Sequence, residues 1–169
     1  IDTTGRTLSK QNMDLNKKPP ADTTETNFIY DAVGRFSEDM VGIKLKGNWG
    51  YMNRKEIIVV KPQYLDVTNF HEGIGSVCFS NSTMNPSWAY VDVNGKFISE
   101  KKYETHNEFR DGLAMVSQIY TYKKGFINKA GVEVIPCKYE EARRISEGFA
   151  VVKLKDVWIE IDNKGNEVK

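Results

Sequence analysis

Histidine and cysteine are scarce in this chain of 169 residues, which carries two of each: His71, His106, Cys78 and Cys137. The cysteines are far apart in sequence with no Cys-x-x-Cys spacing, so a structural zinc site is not expected, and two unbridged thiols are favoured over a disulfide. Neither histidine has a Cys or Asp at nucleophile spacing, which leaves no pair for covalent catalysis. An excess of charge of one sign is missing too. Lys+Arg is 24 and Asp+Glu is 23, a net +1, so there is no surplus to neutralise phosphates or to hold an anionic membrane. No apolar run approaches the ~20 residues of a membrane span. The glycines form neither a P-loop nor a G-x-G-x-x-G cradle. These absences argue against nucleic acid, a membrane span, a metal and a cofactor as partners. What is present is 40% hydrophobic and 11% aromatic residues, ample for a core and unlike a disordered chain.

Residues 1 to 27 differ from the rest. They are rich in Thr, Asp, Asn and Lys, are broken by Lys17-Lys18-Pro19-Pro20, and have few apolar side chains: Ile1, Leu8, Met13, Leu15 and Ala21. This composition predicts a flexible linker or tether. Because the chain opens on Ile1 and not Met, it is expected to be a processed chain or a fragment.

The remainder, from position 28 to position 169, is periodic. Tyr30, Tyr64, Tyr103 and Tyr139 recur at near-equal intervals. Reading forward from each Tyr, Phe36, Phe70, Phe109 and Ile145 share one column. Glu38, Glu72, Asp111 and Glu147 share the next, followed by Asp39, Gly73, Gly112 and Gly148, and then by Met40, Ile74, Leu113 and Phe149. A second block aligns Trp49-Gly50-Tyr51-Met52-Asn53 with Trp88-Ala89-Tyr90-Val91-Asp92, Lys124-Gly125-Phe126-Ile127-Asn128 and Trp158-Ile159-Glu160-Ile161-Asp162. A turn follows at Asn94-Gly95, Ala130-Gly131 and Lys164-Gly165, with Arg54-Lys55 in the first copy. Pro62 and Pro136 then lead into the next Tyr. A period of about 35 residues signals stacked supersecondary units.

This pattern of Phe-x-Glu-Gly, Trp-Gly-Tyr-x-Asp and Val-Ile-Pro-x-Lys-Tyr resembles the WG-containing repeat family common in bacteria, from Tyr30 to Lys169. The first copy has Asp39 for the usual Gly, the third Lys124 for the Trp, and the fourth Ile159 for the Gly; the fourth also ends at Lys169, as a truncated unit or a cap. The resemblance implies a repetitive β-rich structure, an extracytoplasmic setting (periplasmic, cell-surface or secreted) and no defined reaction.

Alternation within the units predicts strands. Val41, Ile43 and Leu45 alternate with Gly42, Lys44 and Lys46, and Ala150, Val152 and Leu154 with Val151, Lys153 and Lys155. Each unit reads as a hairpin plus a short third strand. The Tyr and the positions three and six places on form an apolar ridge, on a helical turn or on a bent strand. The acidic-Gly pair supplies a tight turn. The Trp is expected to pack on the neighbouring unit, with the Gly after it leaving room for the ring. The fold class expected is therefore all-β: four tandem hairpin repeats stacked as an open elongated array, with a closed ring of four small blades as the alternative.

The recurring carboxylates read as turn residues, since one per unit does not make the close unlike pair of a glycosidase. His71 falls in a solvated turn column and His106 on the ridge. Cys78 shares a column with Lys44, Ser117 and Lys153 that faces solvent, and Cys137 falls in a variable column. Asn81-Ser82-Thr83 matches a glycosylation sequon with no meaning expected in a bacterium. The sequence is therefore read as non-enzymatic.

Loop length points to a binding edge. The interval from Asp39 to Trp49 equals that from Gly148 to Trp158, but those from Gly73 to Trp88 and from Gly112 to Lys124 are longer. The extra residues fall in 80–87 and 119–122. Insertions at one register lie along one edge of an array. Tyr120 and Tyr122 stand outside every core column and are the leading candidate contact residues, with Trp88 and Met84 beside the other insertion; packing of the two tyrosines on the adjacent hairpin is the competing reading. The expected function is a binding or scaffold module for another protein. The alternatives are a carbohydrate or cell-wall binder and an inhibitor or immunity protein.

Overall fold

A computed structural model describes residues 30–80, 87–146 and 148–168. The predicted tether, from Ile1 to Asn27, and the candidate contact residue Met84 lie outside the described residues. The described residues contain thirteen strands and no helix.

Each unit is a small antiparallel meander. The first contains β1 (Ala32–Val33), β2 (Met40–Leu45), β3 (Asn48–Asn53) and β4 (Ile58–Tyr64), in that order across one sheet. The second contains β5 (Asp66–Val67), β6 (Ile74–Ser80) and β7 (Ser87–Asp92). The third contains β8 (Leu113–Ser117), β9 (Lys124–Asn128) and β10 (Glu133–Tyr139), and the fourth β11 (Glu141–Ser146), β12 (Phe149–Leu154) and β13 (Val157–Asp162). The predicted ridge that begins at each Tyr is short extended strand where it is regular (β1, β5, β11), not a helical turn.

The turns recur with the strands. Ser37 and Met40 exchange both backbone hydrogen bonds, as do His71 with Ile74 and Arg110 with Leu113. Between them Glu38 and Asp39, Glu72 and Gly73, and Asp111 and Gly112 are all left-handed, the backbone of a type I′ hairpin turn. Asp39 keeps that conformation (φ 66°) without being glycine, as Asp tolerates better than most residues. The turn after the Trp block is capped identically four times. Asn53, Asp92, Asn128 and Asp162 each accept two backbone N–H bonds through Oδ1, from the residues two and four positions on. This register places Glu56 opposite Gly95, Gly131 and Gly165, one residue later than the Arg54-Lys55 pairing suggested by sequence.

The core lies between units, not within them. One cluster joins Met40, Tyr51, Val60 and Tyr64 of the first unit to Phe70, Val77, Ala89 and Val91 of the second. A second joins Ile74 and Tyr90 to Phe109, Ala114, Val116 and Ile127 of the third. A third joins Leu113, Phe126, Ile135 and Tyr139 to Ala150, Val152 and Ile161 of the fourth. Val41, Ile43 and Met52, on the other face of the first sheet, pack with Tyr30 and Phe36. No cluster among the described residues joins the first unit to the fourth, so the array is open and the closed ring is set aside.

Every interior sheet thus has a forward face toward the next unit and a backward face toward the previous one. This corrects the solvent-facing assignment of Cys78. It is 1% exposed, and Ser117 in the same column is 2% exposed, because interior sheets are covered on both sides. No disulfide joins Cys78 to Cys137.

Candidate functional site

The hairpin between β8 and β9 carries the two tyrosines singled out by sequence. Its strands pair from Leu113 with Asn128 up to Ser117 with Lys124. Beyond that pair the backbone N–H of Gln118 donates to the Lys123 carbonyl at 2.9 Å, and that of Tyr122 to the Gln118 carbonyl at 3.0 Å. The Thr121 hydroxyl donates to Gln118 Oε1 at 2.9 Å. Lys123 Nζ reaches Glu140, between β10 and β11, at 2.9 Å and ties the loop to the start of the fourth unit. The loop is therefore fixed at its base while Tyr120 and Tyr122 stand out, 77% and 54% exposed. Both have left-handed backbones, φ 74° and 57°, a conformation unfavourable for bulky residues and one that clusters at binding sites.

Trp88 is placed differently from the exposed contact expected of it. It is 8% exposed, is bridged through its backbone to Tyr103, and is stacked on His106 with ring centroids 3.8 Å apart. His106 therefore belongs to the third unit's packing on the second, and burial pushes its pKa down. The Trp88 ring is thus buried in the packing between units and is not an exposed contact.

Sequence reasoning did not find the cleft between the second and third units. It has a volume of about 360 Å³ and is lined by Thr68, His106, Asn107, Glu108, Arg110 and Met115, among others. Glu108 is paired there with His71 at 3.1 Å and Arg110 at 3.3 Å. Glu108 and Arg110 fall in columns with no recurring chemistry, so repetition gave them no signal. Among the described residues no group of three or more His, Cys, Asp or Glu is arranged to hold a metal, and no helix is long and apolar enough to cross a membrane.

The acidic column has a defined task. Glu38 accepts hydrogen bonds from the backbone N–H groups of Glu72 and Gly73, at 2.8 and 2.6 Å. Glu72 in turn accepts from Gly112 N–H at 3.0 Å. Each of these carboxylates caps the turn of the following unit and not its own, so the turns stack in register. The recurrence was legible in sequence; the partner one period away was not.

The model of the WG-containing repeat matches four segments, residues 26–49, 49–81, 88–118 and 125–158. The chain belongs to the WG-containing repeat family. No curated protein matches it. The naming dipeptide of these WG repeats now has a structural cause. A Cβ on Gly50 would lie 2.7 Å from Pro62 N and against the Val60 carbonyl; one on Gly125 would lie 2.5 Å from the Ile135 carbonyl. The glycine admits the bulged backbone of the following strand, with its register shift at Trp49 to Tyr51, and does not make room for the Trp ring. WG repeats two and four have Ala89 and Ile159 at this position; there the chain beyond the turn meets β7 at Phe97 and Tyr103, and β13 at Glu167, through isolated bridges and not through a continuous strand.

Proposed function

We propose that this WG-repeat array is a non-catalytic module that binds another protein through the 118–123 hairpin, in the bacterial envelope or outside the cell. The observation that carries this reading is the pair Tyr120 and Tyr122, exposed in unfavourable backbone conformations on an anchored hairpin. Tyrosine offers a large amphipathic contact at low entropic cost and is enriched in protein-binding surfaces. The packing duties of Glu38 and Glu72 and the pairing of Glu108 support a non-catalytic reading. The extracytoplasmic setting rests on the resemblance to bacterial envelope repeats.

The test is affinity capture with the array and with a Tyr120→Ala/Tyr122→Ala double variant. A partner retained by the native array and weakened at least ~10-fold by the double substitution supports the reading. Unchanged capture refutes the assignment of the hairpin. A glycan array run in parallel separates the readings: saccharide binding lost in the same variant supports a cell-wall ligand instead.

A further inference from the structure

The outer faces of the first and fourth units differ. On the forward face of the first three sheets, Met40, Ile74 and Leu113 are 3%, 7% and 9% exposed, each covered by the next unit. Phe149, their counterpart in the fourth, is 42% exposed. Beside it on the same face lie Val151, 36% exposed, and Trp158, 42% exposed. The backward face of the same sheet, through Ala150, Val152 and Ile161, is fully buried. In these 169 residues the forward face of the fourth sheet is thus apolar where its counterparts are buried, and uncovered.

A second chain cannot cover it head to tail. The backward face of the first sheet, which would have to dock there, is occupied: Val41, Ile43 and Met52 are 1%, 0% and 3% exposed. Between units, Gly95 and Gly131 sit against the preceding unit, where a Cβ would lie 2.6 Å from the Val59 carbonyl or crowd the Ile98 carbonyl. The first unit has Glu56 at that position, left-handed at φ 63°. At the third seam the same position is less crowded, since a Cβ on Gly165 would meet only the Ile135 side chain, at 3.4 Å.

The charges on the bare face suit a different arrangement. Arg143, Val151 and Glu160 form one row across β11, β12 and β13, through the pairs Arg143 with Val151 and Val151 with Glu160. A cation stands on one side of an apolar centre and an anion on the other. Arg143 also lies 4.5 Å over the Trp158 ring, so the cation and the aromatic belong to one patch. A two-fold axis parallel to the strands, in the plane between two such faces and passing by Val151, sets Arg143 of each chain opposite Glu160 of the other. Phe149 and Val151 then meet their own counterparts in the second copy, Trp158 stands across from Glu141, and Lys153, which shares this face and is paired with Asp156 at 2.9 Å, stands across from Lys153. Isologous contacts of this kind close on themselves without forming filaments.

We infer that the forward face of the fourth sheet is a self-association surface, which takes a second copy of this chain tail to tail. A face three strands wide is small beside a standard interface of ~800 Å² per partner, so the dimer is weak and shows at high concentration.

Sedimentation equilibrium of the full chain from ~10 µM to ~1 mM tests this, over the range where weak dimers dissociate. The mass should rise from the 19.3 kDa monomer toward twice that value. Arg143→Glu and Glu160→Arg should each weaken association at least ~10-fold by opposing like charges. An equimolar mixture of the two variants, and the variant carrying both exchanges, should recover it. Circular dichroism confirms that each variant is folded. Because both substitutions lie on an exposed face and recovery is read in pairs, misfolding cannot mimic the expected pattern. A monomer throughout the range overturns the inference and leaves the face to a different occupant. A dimer indifferent to the exchanges, or one not recovered in the mixture, overturns the tail-to-tail geometry.

Discussion

At the scale of single residues, repetition in the sequence identified which positions matter but not what they touch. Cys137 shows the gap. It falls in a variable column, yet its backbone N–H donates to Glu133 Oε1 at 2.8 Å. Burial, and then the Glu133 charge, push its thiol up to about 12. At pH 8 the thiolate, the form that reacts, is thus scarce. Native protein treated with a thiol-specific disulfide reagent at pH 8 is therefore expected to leave both cysteines unmodified until denaturant is added. Fast native labelling mapped to Cys137 by mass spectrometry would contradict this environment. The same contact has an acid-side consequence. Although burial alone would raise it, hydrogen bonds from Cys137 and Lys101 hold the Glu133 carboxyl below its ordinary value of 4.5. Its contribution to stability is thus present above pH 4.5 and is lost as the pH falls through the depressed value.

At the scale of elements, the sequence carried more than column matching extracted. The two repeats with Gly after the Trp column, Gly50 and Gly125, are the two whose next strand contains Pro62 or Pro136. That correlation marks a bulged strand crossing close over the glycine, and it is readable without a structure. Strand alternation, in contrast, was misleading at Cys78. Period two separates core from solvent only in a sheet with one wet face, and interior repeats have none. The true alternation appears in the last sheet, where Ala150 and Val152 are buried and Phe149 and Val151 are not. The close crossing yields a prediction. Gly50→Ala or Gly125→Ala should lower the urea midpoint by the equivalent of about 1–3 kcal/mol, as overpacking against backbone does. A change below ~0.5 kcal/mol in both would contradict the bulge geometry.

At the scale of the whole molecule, the number of repeats, their length and their β class were all legible, because each unit repeats the same turn and strand chemistry. The direction of stacking was not. It depends on which face of each sheet meets which neighbour, and that is set by partners a full repeat away. The first repeat differs through Glu56, left-handed where the other three have glycine. The fourth differs through Glu160, a carboxylate where Tyr51, Tyr90 and Phe126 carry forward-facing rings. Stability in such an array is largely a sum of nearest-neighbour seams. Phe70 sits in the first seam. It is 1% exposed and meets Tyr51 of the preceding unit edge to face, with ring centroids 4.9 Å apart.

The central claim is that these inter-unit seams hold the array together. Equilibrium unfolding of Phe70→Ala in urea tests it most directly. A loss of about 3–5 kcal/mol is predicted, as for truncation of a fully buried aromatic. A loss below ~1 kcal/mol would contradict the claim, since a ring at the centre of a seam cannot be removed that cheaply.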